Sequence, residues 1–87
     1  MSEEQLNQVQ MILRQISKDQ AVPKNIRRAA KNASHELEQT NFSPAVRASN
    51  AISVLDDPSQ DPNCPIHART KIWQVVAMLE KVHDEPE

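Results

Sequence analysis

The chain has no glycine among its 87 residues. The primed turns of β-hairpins depend on glycine or similar residues at positive φ, so this absence argues against a β-rich fold. It also lowers the conformational entropy of the unfolded chain, which suits a heat-tolerant protein. Tyrosine is absent too, and Phe42 and Trp73 are the only aromatics. A single cysteine, Cys64, rules out an internal disulfide framework and fits a reducing cytoplasm. No apolar run approaches the roughly 18 residues of a membrane span. The first residues, MSEEQLNQ, lack the basic start and apolar core of a secretory leader. The net charge of −2 gives no bulk attraction to nucleic acid or to an anionic membrane. Ile, Leu, Val and Phe make up about 22% of the chain, enough for one small core and one domain over residues 1–87.

What the chain does have is a spacing. Pro23, Pro44 and Pro65 stand at i, i+21 and i+42, and Ser2 extends the same series one step back. Proline is tolerated in the first helical turn and serine is a good N-cap. The spacing predicts four helices over about 3–18, 23–39, 44–56 and 65–83. In the first, Ser2 and Gln5 have capping-box spacing, and Leu6, Val9, Ile12, Leu13 and Ile16 form a stripe. In the second, Ile26, Ala29, Ala30, Ala33 and Leu37 make a narrow stripe of mostly small side chains, which invites a close neighbour. Asn41 is the candidate left-handed terminator. The third begins at Ser43 and turns Ala48, Ala51, Ile52 and Leu55 inward. Two prolines make Asp57–Cys64 a loop. In the fourth, Ile66, Ala68, Ile72, Trp73, Val75, Val76, Leu79 and Val82 cover more than half the circumference. Such an arc needs a central position or another chain to cover it. The acidic tail from Asp84 to Glu87 is expected to fray. Short connections predict an all-α, up-down four-helix bundle. Two stacked HEAT-like helical hairpins are the alternative, carried by Val46, Arg47, Ala51, Ile52 and Leu55.

Three segments carry a family resemblance: VPKNIRRAA (Val22–Ala30), SPAVRASNAISVLDD (Ser43–Asp57) and SQDPNCPIHARTKIW (Ser59–Trp73). In these the chain resembles a small archaeal family known as uncharacterised protein family UPF0147. The resemblance spans about three quarters of the chain, from Val22 onward. It implies a compact helical fold and an archaeal, cytoplasmic origin, and it brings no activity, cofactor or catalytic residue. It also implies an apolar residue such as methionine where this chain has Cys64.

Few residues carry chemistry. Cys64 and His67 have the C-x-x-H spacing of half a zinc site, but the other two ligands are missing. Asp56, Asp57 and Asp61 lack the alternating ligands and the glycine of a calcium loop. No nucleophile elbow, phosphate loop or paired-carboxylate signature is present. No catalytic residue, cofactor or metal is therefore expected. Lys24, Arg28, Lys31 and His35 share one helix face, flanked by Arg27, and form a basic ridge. The functional reading of Lys24, Arg27, Arg28 and Lys31 is a phosphate-tracking surface, and the plain one is a solvated face. Arg69 and Trp73 sit one turn apart. They form either an interface anchor or a core indole under an arginine stem. The core reading is preferred, with Trp73→Ala expected to cost about 3–5 kcal/mol. Arg47 and Asn50 either bond across helices or line a partner surface. The leading functional expectation is a non-enzymatic interaction module, with a protein partner or a second copy docked on the fourth helix. The alternative is a nucleic-acid or ribosome-associated protein that uses the basic ridge.

Overall fold

The computed structural model describes residues 1–84, with side chains through residue 82. Residues 85–87, most of the tail expected to fray, lie outside the described residues. The chain forms α1 (Glu3–Lys18), α2 (Lys24–Leu37), α3 (Pro44–Gln60) and α4 (Ile66–Asp84), with no strand among the described residues. Ser2 and Gln5 close a capping box at α1 (both reciprocal bonds are made, at 2.9 and 3.1 Å), and the Ser43 hydroxyl caps α3.

Short connections join helices of roughly 20–30 Å, so consecutive helices run antiparallel. α1 packs on α2, α2 on α3 and α3 on α4, and α4 closes the ring on α1. The diagonal pairs α1/α3 and α2/α4 do not meet among the described residues. Stacked HEAT-like hairpins would pair like helix with like helix across the stack, which is those two diagonals. The closed bundle is therefore the architecture.

The interior is a single cluster built from one stripe of each helix. Val9, Ala30, Ala51 and Ile72 continue the even spacing of the prolines, one per helix, and all are buried. Leu13, Ile16, Ile26, Leu37, Leu55, Val75 and Leu79 supply most of the remaining bulk.

The structure corrects three expectations. First, α3 runs on to Gln60 rather than stopping at Asp56, and the loop is confined to residues 61–65. Pro58 lies in the last turn, where it forgoes the one bond an N–H would make to the Val54 carbonyl and only Ser59 and Gln60 follow it. The Ser59 hydroxyl donates to the Asp56 carbonyl and the Asp61 N–H to the Pro58 carbonyl, which satisfies the end. Second, α2 ends at Leu37, and no described residue has positive φ, so Asn41 is not a left-handed terminator. Third, Trp73 is not in the core. It is 57% exposed, and Ile66 is 78% exposed. The alanine-rich faces of α2 and α3 draw the helices close and leave no room for an indole. Ala68, Ile72, Val75, Leu79 and Val82 already fill the inward side of α4. α4 is one of four equivalent staves, so its outer arc has no neighbour.

Candidate functional site

The even spacing of the four units conceals a second relation at twice that interval. Hydrogen bonds at one end of the bundle repeat from i to i+42. Ser17 donates to the Arg14 carbonyl, and Ser59 donates to the Asp56 carbonyl. Asp19 Oδ1 accepts the Ala21 N–H at 2.9 Å, and Asp61 Oδ1 accepts the Asn63 N–H at 2.8 Å. Their second oxygens reach across the bundle. Asp19 Oδ2 meets His67 Nε2 in the second position of α4 at 2.8 Å. Asp61 Oδ2 accepts from Asn25 Nδ2 in the second position of α2 at 3.0 Å. Each hairpin thus holds the other by the same contact, the reciprocity of an internal two-fold axis. The Asx-turn N–H groups, of Ala21 and Asn63, hold both carboxyls below their ordinary range, and His67 and Asn25 add to this.

Cys64 is explained by the same relation. It is the i+42 counterpart of Val22, and both are buried beside the proline that opens the next helix. Burial pushes the thiol above its ordinary value. Cys64 thus occupies the place of a small apolar side chain. No three His, Cys, Asp or Glu side chains gather into a metal site among the described residues.

Arg27, Arg47 and Arg69 all occupy the fourth position of their helices. Each has its Nε buried without a partner. Arg47 Nη1 donates to the Leu37 carbonyl at 3.2 Å, and Arg69 Nη2 donates to the Asp61 carbonyl at 2.9 Å. Both carbonyls lie at or just past the end of the preceding helix, where acceptors lack helical donors. A cation there also complements the negative end of the helix dipole. Arg47 and Arg69 are therefore latches between consecutive helices. Of the two readings offered for Arg47, bonding across helices is the one seen. Asn50 is half-buried beside it and lines a shallow depression of about 180 Å³ with Ala45, Val46 and Ser49. Arg27 makes no such bond.

The i, i+42 relation also pairs two outer faces. Lys24, Arg28, Lys31 and His35 of α2 correspond to Ile66, Thr70, Trp73 and Ala77 of α4. All eight are exposed. α2 and α4 are diagonal, so these faces look away from each other. One frame therefore carries a basic face on one side and an uncharged, largely apolar face on the other. On the basic side, Ser17, Lys24, Arg27, Arg28 and Lys31 line an open cleft of about 310 Å³. Among the described residues none of its four cations has a carboxylate within 4 Å, the ion pair found there being His67–Asp19. Beside the α4 face, Gln8, Met11 and Ile12 of α1 meet Gln74 and Met78 across a second groove of about 270 Å³.

Helical period alone singles out Trp73 and the four cations of the ridge. It places Ile66 inside and misses Thr70, Ala77 and Ser17. The i, i+42 relation is the signal that finds the α4 residues, because it maps the basic ridge onto them. Arg69, one turn from Trp73, points instead to the α3–α4 loop.

The family profile described as uncharacterised protein family UPF0147 matches residues 1–82, so the likeness extends through α1 as well. A UPF0147 protein from Desulfurococcus amylolyticus is 56% identical over 73 residues, covering 84% of this chain and 80% of that one. Two crystal structures share the fold. One, of the unknown-function protein MMP1188, has a TM-score of 0.88 at 44% identity, covering 92% of this chain and 91% of the other. The second, from an uncharacterised UPF0147 protein of Thermoplasma acidophilum, has a TM-score of 0.86 at 35% identity, covering 92% and 94%.

Proposed function

This chain belongs to the uncharacterised protein family UPF0147, and we propose that it is a non-enzymatic protein-interaction module that docks through the outer face of α4. The observation that carries the reading is the position of Trp73. The only tryptophan of the chain is 57% exposed, with Ile66 two turns away on the same face. Tryptophan is among the residue types most often found as interface anchors. The occupant this face suits is a second copy. Trp73 stands between the small residues Thr70 and Ala77, so two antiparallel α4 helices can each set an indole against the other's small side chains. Ile66, Thr70, Trp73 and Ala77 carry no charge, so the centre of the face brings no like charges together. The unpaired cysteine suits a reducing cytoplasm as the compartment. No helix among the described residues is long and apolar enough to cross a membrane.

Sedimentation velocity tests the reading. The parent is expected to sediment as a dimer at micromolar concentration, and Trp73→Glu as a monomer whose melting temperature matches the parent's at dilutions where the parent is monomeric. A parent that stays monomeric throughout, or a Trp73→Glu dimer, contradicts it.

A second reading, a nucleic-acid or ribosome-associated protein, is favoured by one observation. The four cations of the α2 cleft have no acidic partners among the described residues. Both readings can hold at once, because α2 and α4 lie on opposite sides of the ring.

A further inference from the structure

We propose that Arg27 anchors a phosphate-backbone site for a nucleic-acid strand in the α1–α2 cleft. The inference rests on the second reading above and adds the residue that organises the site and the ligand group it takes. Its basis is a broken symmetry. Arg27 and Arg69 are i, i+42 counterparts at the same helical position, in hairpins whose loops share their hydrogen bonds. Arg69 is held by the Asp61 carbonyl. The equivalent carbonyl for Arg27 is that of Asp19, and Arg27 makes no bond to it. Arg27 lines the cleft instead, with Ser17, Lys24, Arg28 and Lys31. The Nε atoms of both arginines are buried without an acceptor, so the difference lies in the terminal nitrogens. A planar donor fork beside three further cations suits a phosphate, which it can bind with two parallel bonds.

The arrangement is costly without such a ligand. Lys24–Arg28 and Arg27–Lys31 are like-charge pairs at i,i+4, and each destabilises the helix. Lys24 and Arg27 sit in the first turn of α2, where the helix dipole is also positive and no acidic residue is present. The α4 counterparts of Lys24, Arg28 and Lys31 are Ile66, Thr70 and Trp73, so the frame itself does not require these charges. Length decides between a free phosphate and a strand. Lys24 to Lys31 spans about 10 Å of helix axis. A row of cations that long reaches past one phosphate to its neighbours along a strand, which a single anion cannot do.

Anisotropy of a labelled single-stranded RNA of about 20 nucleotides tests this. The parent is expected to bind with a log–log salt slope of about −2 to −3, for four contacts on a single strand. Arg27→Gln is expected to lose about tenfold or more in affinity, as a charge-assisted bond would. Arg28→Gln should lose about fivefold or less, as an exposed ion pair would. Arg27→Lys, which keeps the charge and loses the fork, should fall between them. Arg69→Gln should leave RNA affinity unchanged and lower the melting temperature, whereas Arg27→Gln should melt near the parent. If Arg27→Gln loses no more than Arg28→Gln, the anchor is refuted while the second reading stands. A parent that binds no RNA at low salt refutes both. Inorganic pyrophosphate that binds as tightly as the RNA assigns the cleft to free phosphate and overturns the strand.

Discussion

Leu79→Ala is expected to lower the free energy of unfolding by about 2–5 kcal/mol, while Trp73→Ala changes it by about 1 kcal/mol or less. The larger side chain is thus expected to matter less. Leu79 is fully buried on the inward stripe of α4. Removing its branched end leaves a cavity in a tightly packed interior, and the surrounding helices cannot close it completely. A domain of this size has only a few kcal/mol to lose, so Leu79→Ala is expected to unfold at a much lower temperature than the parent. Trp73 projects from the opposite side and contributes only partial burial. Urea denaturation of both variants at a concentration where the parent is monomeric measures the difference. Equal losses would place the indole in the core after all.

Arg47→Met and Arg69→Met are each expected to cost about 1–2 kcal/mol, and Arg27→Met about 1 kcal/mol or less. Methionine retains most of the apolar stem, so the comparison isolates the guanidinium. Arg47 and Arg69 each satisfy a carbonyl at a helix end, and those carbonyls lose their donor in the variants. Arg27 satisfies none. A domain of this size shifts by roughly 4–8 °C per kcal/mol, so thermal melts separate the three. Three equal shifts would show that Arg27 is also a latch and would remove the basis for its role in the cleft.

The helices are legible because their signals are local. Ser2 and Gln5 specify a cap, Ser43 and Pro44 a helix start, and the stripes have helical period. The run of α3 through Pro58 is not legible, because Asp57–Pro58 reads as a break. Only the hydroxyl of Ser59 and the Asp61 N–H show how that end is satisfied. The site is half legible. The ridge of Lys24, Arg28 and Lys31 follows from the helical period alone. The place of Trp73 does not, because period gives an arc without its centre. The centre is set by which helices meet, and that depends on alanines of α2 and α3, distant in the sequence. The latches are hidden for the same reason, since an arginine and the carbonyl it bonds lie at opposite ends of a connection. The i, i+42 relation is present in the letters, at Asp19 and Asp61, Pro23 and Pro65, and Arg27 and Arg69. It reads as a two-fold axis only once the ring order is known.

The central claim is that the fold leaves one face of α4 uncovered for a second copy. With one tryptophan and no tyrosine, the chain's near-ultraviolet emission reports Trp73 with little interference. Emission and acrylamide quenching of the native protein should therefore be followed across protein concentration. At high dilution the expected result is the long-wavelength emission and free quenching of an indole in water. As concentration rises, emission should shift to shorter wavelength and quenching should fall, in step with the dimer fraction from sedimentation. Short-wavelength, shielded emission at every dilution would contradict the fold, and exposed emission at every concentration would contradict the docking of a second copy.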